Sequence, residues 1–274
     1  MRCLWLIWLV CLLLICCQSE SASSRFPKTQ STLPPRAIRI ELDSIKHLLS
    51  DAKEIEIRYD HFRKGTTQYE AYPFFPVLEY LIDSLQLDTS SAELIFVCKD
   101  GYRATNRIAD LVQAGGGHLA FRDLSAPPET KWHPAQATDF PPYYLVWEDL
   151  PYEDHSLVWP YGIVSFEINQ QDPYHLLAPE TADSNILAGF EHYKHACIKC
   201  HALNQIGGTL GPDFNQPRNI TTYWTRENIA SFAQNPQSFR VNSKMYAIKS
   251  LSASDLHQVV DYLEFLAKAS GTSR

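Results

Sequence analysis

Cys197-Ile198-Lys199-Cys200-His201 is the stretch on which the reading of this 274-residue chain turns. Two cysteines three positions apart lie on one side of a helical turn, so both sulfurs can reach one common partner. Three chemistries use such a pair: a redox disulfide, half of a zinc site with His192 and His195 as spare ligands, or attachment of a haem through two thioethers. The histidine directly after the second cysteine belongs to the third pattern, in which it is carried under the iron as an axial ligand. A redox disulfide motif of the thioredoxin kind should follow a strand and open a helix. Here the motif closes a helical stretch, Asn185 to Ala196, with Ile186, Phe190 and Tyr193 on one side. The spacing therefore favours haem c, with zinc and a disulfide as its rivals.

Haem is joined to protein covalently outside the cytoplasm, so this reading requires export. The chain opens with Arg2, an apolar run from Cys3 to Cys17, and then polar Gln18-Ser19-Glu20-Ser21. A run this short, with a basic start and small residues after it, reads as a signal peptide over residues 1–22 rather than a spanning helix. Leu14-Ile15-Cys16-Cys17 also resembles a bacterial lipoprotein cleavage box, with Cys17 as the lipid acceptor. The residue before the acceptor is usually small, and here it is Cys16, so ordinary cleavage near Ser19 to Ser23 stands as the rival. Both readings place the mature chain in the periplasm, free or held to the membrane through Cys17. No later segment is long and apolar enough to cross a bilayer.

Four of the seven cysteines (Cys3, Cys11, Cys16 and Cys17) fall in that leader. With Cys197 and Cys200 used by a haem, Cys98 has no partner within the chain, and it reads as a buried apolar thiol. Methionine is scarcer still: there are two, and one is the initiator. Met245 lies 44 residues after His201, in the polar stretch Arg240-Val-Asn-Ser-Lys-Met245-Tyr246. A lone methionine elsewhere would be core filler, but this loop setting favours a second axial ligand. His257 or an open iron face are the alternatives. Downstream, Ser252 and Asp255 form a capping box, and Leu256, Val259, Val260, Leu263 and Leu266 make an apolar stripe at helical spacing. A further helix is expected from about Arg226 to Gln234, ending before Asn235-Pro236. The stretch Gly207-Gly-Thr-Leu-Gly211-Pro212-Asp-Phe214 is too turn-rich for a helix.

Residues 184–274 resemble a class I cytochrome c domain: a helix running into the Cys-x-x-Cys-His motif, a Gly-Pro loop, a methionine and a C-terminal helix. The resemblance implies an all-α fold. It also implies thioethers at Cys197 and Cys200, iron ligation by His201 and Met245, and a Pro212 carbonyl that accepts the other ring N–H of His201. Gly189 and Phe190 would meet Tyr262 where the terminal helices cross. The family often has proline after the methionine, and Tyr246 stands there in this chain.

Residues 23–176 carry no comparable signature, and 177–183 read as a linker. Strands are expected at Ile38 to Leu42, Glu54 to Tyr59, Glu93 to Cys98, His118 to Phe121, Tyr143 to Trp147 and Gly162 to Ile168. Helices are expected at Ser44 to Leu49, Phe74 to Leu85 and Thr105 to Gln113. Irregular interleaving of the two indicates an α+β domain. This part weakly resembles the molybdopterin-binding domain of sulfite-oxidase-type oxidoreductases, on Val97-Cys-Lys-Asp100-Gly101-Tyr102, the Leu119-Ala120 strand and Trp159-Pro160-Tyr161. Those enzymes hold molybdenum through a cysteine in an earlier strand, and this chain has none between the leader and Cys98. The resemblance thus implies a fold and argues against a molybdopterin cofactor. Asp100-Gly101-Tyr102 reads as a plain turn.

Charge divides the chain in the same way. Residues 23–183 carry a formal −10 and residues 184–274 carry +3. An acidic protein of this kind is not a nucleic-acid binder. The expected partner is a periplasmic or membrane-bound redox protein. The expected function is electron carriage by one His/Met haem, with the N-terminal domain docking a partner and no catalytic residues of its own. The alternative is a periplasmic oxidoreductase or its subunit, whose N-terminal domain binds a substrate or a molybdopterin-like cofactor.

Overall fold

The apolar run Glu93–Cys98 forms β4, a strand buried along nearly its whole length. Burial on both faces explains why it reads as a continuous hydrophobic run rather than an alternating one. The computed structural model describes residues 37–170, 172–181 and 183–269. The expected leader of residues 1–22, with Cys17, lies outside the described residues.

Around β4 is a four-stranded antiparallel sheet in the order β1-β8-β4-β5, with β1 at Ile38–Glu41, β5 at Arg103–Arg107 and β8 at Ile163–Asn169. A second antiparallel sheet runs β2-β3-β6-β7, from Lys53–Asp60, Gly65–Pro73, His118–Asp123 and Tyr144–Val146. A 3-10 turn at Leu42–Leu48 and two helices, α1 (Phe75–Leu85) and α2 (Ile108–Gln113), complete this part. Helix α1 buries Val77, Leu78 and Leu81. Rings from three elements close the core: Phe74 lies 5.6 Å from Phe96 and 5.3 Å from Phe166, centroid to centroid. The sheet-rich N-terminal region is therefore built on one hydrophobic core.

The sequence reading needs two corrections here. Residues 103–107 are a strand, and the helix expected from Thr105 begins only at Ile108. The inward residues of β5 are Ala104 and Asn106, one small and one polar, so the alternation that marks a half-buried strand is muted. Strand β3 was not expected, because its buried positions are Thr67, Tyr69 and Ala71 rather than large aliphatics.

The C-terminal third is helical: α3 (Ser184–Ala196), α4 (Arg226–Gln234), the short α5 (Pro236–Phe239) and α6 (Ala253–Ala269). It is not all-α as expected, since Ala202–Leu203 (β9) and Ile206–Gly207 (β10) pair as a two-stranded ribbon directly after the cysteine motif. Asp183 caps α3 by accepting the Asn185 and Ile186 N–H groups. Ser252 and Asp255 cap α6 reciprocally, at 2.8 and 3.2 Å. The first and last helices cross closely at Gly189, where a Cβ would lie 2.0 Å from the Gln258 carbonyl oxygen. Phe190 and Tyr193 pack on Tyr262 there, at 5.5 and 5.9 Å.

The stretch between the two cores is tied down. Leu177 is buried and its carbonyl accepts the Tyr262 hydroxyl at 2.7 Å, while the Tyr174 and Thr105 hydroxyls pair at 3.1 Å. The described residues belong to one compact unit. Among them no helix is long and apolar enough to cross a membrane.

Candidate haem site

Helix α3 ends at the motif, and the chain coils through it as a tight turn. Tyr193 O accepts the N–H groups of Cys197 and Ile198, and Cys197 O accepts those of Cys200 and His201, all at 2.9–3.1 Å. That coil sets Cys197, Cys200 and His201 within one tight turn of the chain. The thiols are free, and neither is joined to the other. Burial pushes the Cys197 thiol up to about 12 and the Cys200 thiol up to about 11, so both are protonated at neutral pH.

His201 is buried and fixed from two sides. Its Nδ1 lies 2.9 Å from the Pro212 carbonyl oxygen, and its own carbonyl accepts the Tyr193 hydroxyl at 3.0 Å. The carbonyl can only accept, so Nδ1 carries the proton and the lone pair sits on Nε2. Burial lowers the imidazole pKa, against a smaller opposing effect of the Pro212 hydrogen bond, which keeps the ring neutral. Phe214 stacks on the ring at 4.3 Å. Gly211 passes so close that a Cβ there would lie 2.2 Å from His201 Cε1, so no side chain fits at that position without moving the ring.

The rival readings of the motif lose ground on the same geometry. Zinc needs a donor set, and among the described residues no group of three or more His, Cys, Asp or Glu side chains is placed to hold a metal. His192, a spare ligand by sequence, instead faces Gln258 Oε1 at 3.1 Å and Asp255 at 3.5 Å. Two free thiols and a neutral imidazole with one nitrogen already engaged do fit a haem c, through the sulfurs and Nε2 respectively.

The structure thus brings Cys197, Cys200, His201 and Pro212 together. Met245 comes from a separate loop, half-buried, with its N–H donated to Ser243 Oγ at 3.2 Å. That loop is pinned to α4 where the Ile248 N–H donates to Ala233 O at 2.9 Å. Tyr246, the residue after Met245, is exposed and interacts with the hydroxyl of Tyr161 in the N-terminal region. Cys98 is buried at the end of β4, and burial raises its thiol pKa.

One neighbour of the motif was missed by sequence reasoning. The turn Lys99–Arg103, read as a plain connection, lies directly against it: Arg103 N–H donates to Lys199 O at 3.0 Å, and Thr209 N–H donates to Gly101 O at 2.9 Å. These are main-chain groups, and no residue pattern announces them.

Residues 184–263 match the family model described as cytochrome C oxidase, cbb3-type, subunit III, a span that opens with α3 and closes inside α6. Comparison of the chain with curated proteins and with solved structures gives no match. The family match and the motif geometry converge: the C-terminal third of this chain is a c-type cytochrome domain.

Proposed function

We propose that this protein carries single electrons through one haem c, bound covalently at Cys197 and Cys200 and ligated by His201 and Met245. A c-type cytochrome domain implies haem c and points to electron transfer. The observation that carries the finer reading is the Pro212 carbonyl on His201 Nδ1, at 2.9 Å, which leaves Nε2 as the one ring nitrogen able to bind iron. When bound, the haem supplies a one-electron ferrous/ferric couple. The chain's own residues orient the imidazole, keep water from it by burial, and supply a thioether at Met245 whose softness favours the ferrous state.

One Cys-x-x-Cys-His motif in the sequence supports one haem. The leader supports export to the periplasm, with the mature chain anchored by lipid at Cys17 or released by cleavage after it. The N-terminal domain serves a redox partner rather than a reaction of its own. The lack of a cysteine between the leader and Cys98 weighs against a molybdenum cofactor there.

Protein made in a periplasm competent for haem attachment should carry one haem that survives acid–acetone extraction. It should also show the weak near-infrared methionine–iron band in the ferric state. Met245→Ala should abolish that band; a band that persists removes Met245 from the iron. A mass measurement of the mature N-terminus separates lipidated Cys17 from cleavage near Ser19 to Ser23.

A further inference from the structure

We propose that the Lys99–Arg103 turn of the N-terminal region is a positioning element of the haem site, fastening the cysteine-bearing segment to the loop that orients His201. The inference rests on His201 as the iron ligand. It adds that the grip on this ligand is set from outside the span that matches the cytochrome family.

Three successive carbonyls of the motif carry the argument. Ile198 O accepts the Gly208 N–H at 2.7 Å and Cys200 O accepts the Gly211 N–H at 2.8 Å, both from the loop that ends in Pro212. The carbonyl between them, Lys199 O, is taken instead by the Arg103 N–H at 3.0 Å. On the loop side, the Thr209 N–H is taken by Gly101 O at 2.9 Å. The turn thus supplies one donor and one acceptor to groups that the cytochrome segment does not pair between themselves. Both bonds run between main-chain groups, which every residue at these positions presents in the same place, so the turn is a structural part of the site rather than a surface resting on it.

The turn is built to hold this position. It is closed by Gly101 N–H to Cys98 O at 3.0 Å, Cys98 N–H to Tyr102 O at 2.9 Å and Tyr102 N–H to Asp100 Oδ1 at 2.9 Å. Arg103 is anchored to the central sheet by two hydrogen bonds to the Glu167 carboxylate, one of them 2.9 Å. Gly101 has φ +92°, and a Cβ there would lie 2.5 Å from Thr209 Oγ1 and 3.1 Å from the Leu210 nitrogen. Contact this close is possible only for glycine. Any push at Thr209 travels two residues to Gly211, against which the imidazole packs, and three to the Pro212 carbonyl.

The test uses full-length holoprotein carrying Gly101→Ala, and separately Glu167→Gln, which loosens the anchor without adding bulk and so covers a failure of the first variant to fold. In the native protein, the amides of Arg103 and Thr209 should be protected from hydrogen exchange, as should those of Gly208 and Gly211, which are hydrogen-bonded in the same way. In the variants, exchange at Thr209 should rise about fivefold or more, the loss expected for one hydrogen bond. The reduction potential and the ferric low-spin resonance of the haem should shift with it. Unprotected Arg103 and Thr209 amides in the native protein would overturn the proposal. So would faster exchange in a variant whose potential and resonance stay at the native values. Failure of the haem reading itself is distinguishable, because it would show as no low-spin haem in the unmutated protein.

Discussion

At the scale of single residues, Asn219 is fully buried and its side chain uses every polar position it has. Its amide NH₂ donates to Leu263 O and Asn215 Oδ1, both at 2.9 Å, and its oxygen accepts the Thr221 N–H and hydroxyl at 2.9 and 2.7 Å. It joins the loop after the Gly-Pro segment to α6. Asn219→Ala leaves the Thr221 N–H and the Asn215 oxygen without that partner, and should cost about 2 kcal/mol or more in denaturant unfolding. Glu93 is the opposite case. Its Oε2 is buried without a hydrogen-bond partner, and burial, aided by nearby Asp172, pushes its pKa up to about 7 against the pull of Lys194 and Arg107. The folded state therefore prefers the protonated acid. Stability from this group is full below about 4.5 and is lost as pH rises through about 7. The difference in unfolding free energy between the native protein and Glu93→Gln should change across that window, with the native protein losing ground toward pH 8. A pH-independent difference would assign the Glu93 carboxylate the same environment folded and unfolded.

At the scale of elements, the crossing of α3 and α6 depends on Gly189. A Cβ there meets the Gln258 carbonyl oxygen at 2.0 Å and Tyr262 Cβ at 3.0 Å, and the first of these is helix backbone that cannot rotate away. Gly189→Ala should separate the helices and destabilise the domain by about 2–3 kcal/mol, read as a lower midpoint at unchanged denaturant slope. The caps of α6, the limits of α4 and the turn at Cys197 were legible in the sequence, because each is written in local spacing; the crossing came only with the resemblance to class I cytochromes, which placed Gly189 and Phe190 against Tyr262. Strand β3 and the strand half of the 103–113 stretch were not. Their inward positions hold Thr67, Tyr69, Ala71, Ala104 and Asn106, and Asn106 is buried by bonding the Ser156 carbonyl and the Val158 N–H at 2.8 and 3.1 Å. A tertiary partner makes such a residue a core residue, and a periodicity argument cannot see that partner. The same holds at the candidate haem site. Side-chain spacing singled out Cys197, Cys200 and His201, whereas Gly101 and Arg103 meet that segment through carbonyl and amide groups that every residue carries.

At the scale of the molecule, two hydrophobic cores share one compact unit. Separate cores alone would allow the sheets to melt apart from the helices. The links between them argue otherwise. Besides the two main-chain bonds of the Lys99–Arg103 turn, Thr105 pairs with Tyr174 at 3.1 Å, and the buried Tyr262 of α6 bonds Leu177 O at 2.7 Å, so the joining stretch is fastened at both ends. Opening this interface breaks the bonds of the Lys199 carbonyl and the Thr209 amide near His201, so loss of the sheets should also loosen that segment. Unfolding should therefore be one transition. Tryptophan fluorescence, with Trp132, Trp147 and Trp159 in the N-terminal core, should report the same midpoint in guanidinium chloride as the haem Soret band, and Gly101→Ala should pull the two midpoints apart. Two separated midpoints in the native protein would make the cytochrome an independent domain. Coincident midpoints that split only in the variant would locate the coupling at the turn that presses on Cys197–His201.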